Sequence, residues 1–164
     1  MRDDVMRFRK VATPDDLTRL ETALRALSAD IGEDYATDAA ALAHALTGPR
    51  PAAYAILVLQ GHEALGAAMF SPVFSTVRGA AGLYVSDLWV SGDARGQGLG
   101  ARLLAQVAQQ GARDWQATWI KLAVYDHSTA SQRFYKRLGF ELATGMQEMR
   151  LGAQGVSELM EGIT

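Results

Sequence analysis

The sequence predicts a mixed α/β layer fold with one central strand–helix–strand crossover. Three observations carry this. Strand-like and helix-like apolar runs alternate along the chain, and a run of aromatic and branched residues, LYVSDLWV (83–90), reads as a strand. The glycine-rich turn RGQGLG (95–100) follows it and opens directly into an amphipathic helical stripe. With 164 residues the chain is long enough for one domain with a proper core and too short for two ordinary ones. A single domain is expected over residues 5–152, with a loose tail over 153–164.

Taken in order, RFRKVA (7–12) reads as a first strand. TPDDLTRLETALRALSAD (13–30) is a helix capped by Thr13, with Pro14 at its first position and acids in the first turn. Leu17, Leu20, Leu24 and Leu27 supply its apolar stripe. TDAAALAHALTG (37–48) is a second helix, capped by Thr37 or Asp38 and closed by Gly48-Pro49, with His44 as a helix-surface or packing residue. AAYAILVLQ (52–60) and ALGAAMFSPVF (64–74) are two strands joined by GHE as a hairpin, and Gly61 alone does not fix the turn type.

STVRGAAG (75–82) is a loop before the 83–90 strand. Leu99, Leu103, Val107 and Ala108 make the stripe of a helix running to about Trp115. TWIKLAVY (118–125), nearly continuous in apolar character, suggests a central strand covered on both faces. STASQRFYKRL (128–138) is a helix capped by Ser128, with Ala130, Phe134 and Leu138 facing the core. FELAT (140–144) and MQEMRL (146–151) are expected as two short closing strands.

Composition narrows the function classes. Net charge is −2, which speaks against a nucleic-acid footprint. The first ten residues lack the apolar segment of a signal peptide, and PAAYAILVLQ is too short to span a bilayer, so a cytoplasmic protein is expected. There is no cysteine, which excludes disulfides, thiolate metal sites and covalent catalysis through an enzyme thiol. His44, His62 and His127 lack metal-ligand spacing, so no metal is expected.

Gly96, Gly98 and Gly100 stand at alternate positions at the mouth of a helix. Helix N-termini present amides without intrahelical partners and carry partial positive charge. Glycines let a phosphate approach that backbone, and Arg95 adds a full charge. A bare turn needs one or two glycines rather than three, so the pattern favours an anion site, most plausibly for a pyrophosphate. GQGLGA formally satisfies the dinucleotide fingerprint. Too little chain follows to complete the doubly wound sheet that fingerprint serves, and no Gly-Lys-Ser/Thr follows for a nucleotide loop.

The stretch DARGQGLGARLL resembles the R/Q-x-x-G-x-G/A signature of the GNAT acetyltransferases, filled here by Arg95, Gly98 and Gly100. GLYVSDLWV is similar to the strand before that signature, STASQRFYKRLGF to the helix that follows the next strand, and RFRKVATPDDL to the family's usual opening. FSPVFSTVRGAAGLYVSDLWV further resembles the spermidine/spermine (diamine) N-acetyltransferase branch.

The resemblance implies the GNAT acyltransferase fold: an α+β mixed sheet, mostly antiparallel with one parallel strand pair, flanked by helices. It implies acetyl-CoA as donor, its pyrophosphate held by backbone groups of Arg95, Gly96, Gln97, Gly98, Leu99, Gly100 and Ala101. Leu88, Trp89 and Val90 would offer the pantetheine arm backbone hydrogen bonds. Ser128 stands where relatives often carry Asn and is a shorter cofactor contact. Relatives are frequently dimers, so a homodimer is expected, with the MQEMRL strand at the interface.

The implied reaction is attack of an amine on the thioester. An alkylamine with a pKa of about 10 must lose a proton, and the leaving thiolate must be protonated or stabilised. Tyr135 is the family's general acid. Asp87 is either the base or a structural anchor, and His127 is the other candidate base. Successive strand residues face opposite sides, so Ser86 and Asp87 reach one pocket only through a bulge. In the diamine branch a Glu commonly occupies the position of Ser86, and its loss weakens the case for a polyamine. A backbone N–H of Leu88 or Trp89 is the implied oxyanion donor. The expected function is acetyl-CoA-dependent transfer to a primary amine of a small molecule, with a protein or antibiotic amine as the other acceptor class. A non-catalytic acyl-CoA sensor is the competing class.

Overall fold

The computed structural model describes residues 5–162, which fall into two compact units, one ending at Tyr125 and one beginning at Asp126. The first unit contains a five-stranded sheet in the order β1 (Arg7–Lys10), β2 (Tyr54–Gln60), β3 (Glu63–Ser75), β4 (Ala80–Val90) and β5 (Trp119–Leu122). The β1–β2, β2–β3 and β3–β4 pairs are antiparallel and β4–β5 is parallel, as the family resemblance implies. Helices α1 (Pro14–Ile31), α2 (Ala39–Thr47) and α3 (Leu99–Trp115) complete this unit.

Helix α1 begins where the sequence places it. Thr13 Oγ1 accepts from Asp16 N–H at 3.2 Å, and Asp16 Oδ2 accepts from the Thr13 and Ala12 amides at 3.1 and 3.2 Å, a reciprocal capping box. Asp16 is fully buried, and its other oxygen lies 3.1 Å from Arg9 Nε and 3.7 Å from Arg19 Nη1, ion-pair contacts rather than aligned hydrogen bonds. Burial alone would raise this carboxyl. The Thr13 hydroxyl, the Ala12 and Thr13 amides and the Arg9 guanidinium outweigh it and hold the pKa below the ordinary value. For α2 the cap is Asp38, whose Oδ1 accepts from Ala41 N–H at 2.7 Å.

Alternation along β2 assigns the two faces of the sheet. Ala55, Leu57 and Leu59 join one core with Leu20, Ala23 and Leu24 of α1 and Leu42 and Leu46 of α2. The opposite face meets α3, whose Leu99, Leu103, Leu104, Val107 and Gly111 are buried. Gly111 brings α3 so close that a Cβ there would stand 2.5 Å from Leu83 Cδ1.

Several expectations change. Residues 80–82 belong to β4 rather than to a loop, so β3 and β4 form a long hairpin turning over residues 76–79. Gly61 has φ 59° and His62 does not share a positive φ, the sign pattern of a type II′ hairpin turn. Ala108 is exposed, the buried line on α3 passing through Leu104 and Gly111 instead. β5 is a four-residue edge strand, half-buried rather than central, because no described strand pairs with its other side.

The second unit contains α4 (Thr129–Arg137) and α5 (Ala153–Glu161). Ala130 is exposed, Leu138 is 42% exposed and α4 fully buries no residue, so the expected core-facing line is open. Residues 140–144 and 146–151 form no strand. Glu, Gln, Thr and Arg interrupt both runs, Gly145 sits between them at φ 76°, and a lone two-stranded hairpin is marginal in water. The expected loose tail instead carries α5. Among the described residues no helix is long and apolar enough to cross a membrane.

Candidate active site

The decisive local feature is a bulge in β4. Met69 of β3 stands opposite Asp87 while its neighbour Phe70 stands opposite Val85, so Ser86 has no partner. Before the bulge, Leu83 packs under α3, and Val85 shares its parity. Beyond it, Trp89 packs on the α1 core. The extra residue has therefore exchanged the faces of the strand. In unbroken alternation Asp87 would lie beneath α3; the bulge turns it to the α1 side with Trp89.

Ser86 Oγ then reaches Asp87 Oδ2 at 2.7 Å and the Met69 carbonyl at 3.3 Å. Burial raises the Asp87 carboxyl above its ordinary value, and the Ser86 hydroxyl opposes this without cancelling it. Tyr35, on the loop between α1 and α2, belongs to the same neighbourhood. Burial raises its phenol, with Glu21 and Asp87 adding to the rise and Arg25 and Thr37 opposing it. The Arg25 guanidinium lies 4.4 Å from the Tyr35 ring centroid. The Tyr35 hydroxyl itself is buried, with the Thr37 side chain as its polar neighbour.

Just past the bulge the sheet opens. The parallel ladder with β5 ends at Val85 opposite Leu122, so Leu88, Trp89 and Val90 pair only with Ala68, Ala67 and Gly66 of β3. Their other edge offers backbone groups to a ligand lying alongside. After Val90 a short 3₁₀ turn (Gly92–Ala94) leads to Arg95, then to Gly96 at φ 76° and Gly98 at φ 73°. A Cβ at either glycine would meet nothing, so the left-handed backbone and not crowding calls for glycine there. Gly98 caps α3 without a side-chain bond, and the first intrahelical bond runs from Arg102 N–H to the Gly98 carbonyl at 3.1 Å. The amides of Leu99, Gly100 and Ala101 thus stand at the helix mouth.

The Arg95 side chain turns away from that mouth. Its Nε donates to the Val90 carbonyl at 3.0 Å and its Nη2 to Asp30 Oδ2 at 2.5 Å. Its own amide donates to the Gly92 carbonyl.

In the second unit, Tyr135 packs edge-on against Phe134 and Phe140, with centroids 5.1 and 5.4 Å away. Burial raises its phenol above the ordinary value, so it is protonated at neutral pH. Ser128 is the N-cap residue of α4, yet its side chain makes no cap bond. His127, Lys136 and Arg137 are exposed.

Residues 18–140 match the model of the Acetyltransferase (GNAT) family. The chain belongs to that family. A thialysine N-epsilon-acetyltransferase from Sus scrofa is 30% identical over 103 residues, covering 61% of this chain. The match spans 59% of that relative's length. Among solved structures, an integron cassette protein from the mobile metagenome of V. cholerae superposes with a TM-score of 0.75 at 21% identity, covering 95% of this chain and 98% of its own. An aminoglycoside N-acetyltransferase in complex with CoA superposes with a TM-score of 0.73 at 18% identity, covering 92% and 97%. These two likenesses speak for the GNAT fold alone.

In this GNAT chain the first unit brings together Asp87, the open edge at Leu88, Trp89 and Val90, and the turn from Arg95 to Ala101. A cleft of about 680 Å³, lined by Arg7, Arg9, Arg19 and His62 among others, shares no residue with this site. Asp30, Tyr35 and Glu21 are site neighbours that pattern reasoning does not single out. Their side chains reach the site from α1 and the following loop, across distances in sequence that no local spacing encodes.

Proposed function

We propose that this GNAT chain is an acetyl-CoA-dependent N-acetyltransferase that moves an acetyl group directly to a primary amine of a small molecule within a ternary complex. The observation that carries the reading is the β4 bulge. It turns a half-buried carboxylate toward the α1 side at the point where β4 loses its β5 partner, one short turn before an open helix mouth. The residues fit the donor. Leu88, Trp89 and Val90 offer backbone bonds to an extended arm, and the turn through Gly96, Gln97 and Gly98 to the amides of Leu99, Gly100 and Ala101 offers donors to a pyrophosphate. Ser128 is an added contact in this proposal.

Acetyl-CoA supplies a thioester carbonyl for the amine to attack. Asp87 takes the amine proton; its raised pKa moves it toward the amine's value of about 10 and makes it a stronger base than an exposed carboxylate. An amide of Leu88 or Trp89 steadies the charge that develops on the carbonyl oxygen. Tyr135 donates a proton to the leaving sulfur. At ordinary values of about 10 and 8.5 that transfer is uphill by roughly 2 kcal/mol, within reach of a general acid. The acceptor is an aliphatic amine such as a diamine or an amino-acid side chain, in keeping with the thialysine enzyme's name. Ser86 contributes a hydroxyl rather than a charge beside Asp87, which favours an acceptor of modest positive charge.

The test is incubation with acetyl-CoA and a panel of diamines, amino acids, aminoglycosides and N-terminal peptides, with acetylated products read by mass spectrometry. Acetylation of a diamine or amino-acid amine supports the proposal. Binding of acetyl-CoA with no product from any amine would mark an acyl-CoA sensor instead. We also propose a homodimer, supported by the exposed Leu142, Met146, Met149 and Leu151. Light scattering is expected to give the dimer mass, and a monomer at assay concentration would contradict it.

A further inference from the structure

Asp30 occupies a costly position that helix formation does not explain. It lies in the last turn of α1, where the helix dipole disfavours negative charge and where no basic residue compensates it. Its Oδ2 instead accepts two bonds from elsewhere: Trp89 Nε1 at 3.2 Å and Arg95 Nη2 at 2.5 Å. Arg95 closes the ring by donating through Nε to the carbonyl of Val90. One carboxylate thus joins the end of α1, the final residues of β4 and the first residue of the glycine turn. Directly after Asp30 the chain turns through Gly32 at φ 73° into the loop that carries Glu33 and Tyr35. That loop is itself tied down, since the Tyr125 hydroxyl donates to the Glu33 carboxylate.

We propose that Asp30 is a positioning residue that holds the Arg95 turn and Trp89 in the arrangement acetyl-CoA requires, linking the end of α1 to the donor cradle through one carboxylate. The proposal rests on the donor site assigned above. Its logic is geometric. Gly96 and Gly98 give the turn freedom, and a flexible anion cradle must be ordered each time it binds. Fixing Arg95 at both its Nε and Nη2 anchors the turn at its start, so the amides that follow remain in place without ligand. The guanidinium serves as a strut here, not as a phosphate ligand.

Two measurements on the intact chain test this. The first is calorimetric binding of coenzyme A to wild type, Asp30→Asn, Arg95→Gln and the double variant. Asn keeps an acceptor for Trp89 but removes the charge facing Arg95. The pair is half exposed, so a weakening of about threefold to tenfold is expected for Asp30→Asn. The double variant is expected to be no weaker than the weaker single variant by more than about twofold, as for residues acting through one contact. The second is amide hydrogen exchange without ligand. Residues 91–98 should exchange faster in Asp30→Asn while the buried turns of α3 stay protected. Asp30→Glu, which keeps the charge, should restore part of both.

Unchanged binding and exchange in Asp30→Asn overturns the proposal, as does multiplicative loss in the double variant. Tighter binding in Asp30→Asn also overturns it, because Asp30 would then be competing with the donor for Arg95. Wild type that binds no coenzyme A would instead defeat the donor assignment. The exchange experiment still decides whether the strut orders the turn.

Discussion

Asp16, fully buried, and Asp87, half-buried, are two carboxylates in the same unit with opposite behaviour, and their surroundings account for it. Asp16 accepts from two backbone amides and faces two guanidiniums, so its ionised form is favoured. A depressed folded pKa contributes stability above the unfolded value of about 3.9, lost as pH falls through the folded value. Asp16→Ala is expected to cost about 1–3 kcal/mol at pH 7, and denaturant midpoints at pH 7 and 3 should show the difference from wild type shrinking in acid. For Asp87, partial burial outweighs the single hydroxyl of Ser86 that favours the charged form, so its folded pKa is raised. Ionising it costs stability as pH rises through the interval between the unfolded and folded values. Asp87→Asn should therefore leave thermal stability at pH 7 equal or higher while kcat/KM falls by about a hundredfold or more. The acid limb of the wild-type rate profile should lie above the usual carboxylate range and vanish in the variant.

At the scale of elements, glycine spacing, strand parity and capping chemistry were legible to different degrees. Thr13 and Pro14 announced the start of α1 because a cap is a local device. Gly96 and Gly98 announced the turn because only glycine takes φ near 75° there without strain. The bulge could be named as a condition for Ser86 and Asp87 to meet, yet not located, because it depends on how β3 pairs with β4. The edge position of β5 and the absence of strands at 140–151 were hidden for the same reason. Pairing partners are a tertiary matter, and WIKL reads alike at an edge or in a centre. Tyr35 and Asp30 were hidden because a loop and a helix end carry them to β4. The packing of α3 is open to direct test. Leu103 is fully buried against Gly66, so Leu103→Ala is expected to lower unfolding free energy by about 2–5 kcal/mol in a urea titration.

For the whole molecule, family membership covers residues 18–140 and so includes Tyr135 in the same matched span as Asp87 and the glycine turn. The mildly acidic balance, −2 overall, suits a small cationic acceptor rather than a polyanion. The most direct test is the initial rate of thiol release, with acetyl-CoA and the best amine both varied, for wild type and Tyr135→Phe. Direct transfer should give intersecting double-reciprocal lines, and kcat should be at least about tenfold lower in the variant, as for a lost general acid. Parallel lines would contradict direct transfer, an undiminished kcat would remove Tyr135 as the acid, and no amine-dependent release at all would contradict N-acetyl transfer itself.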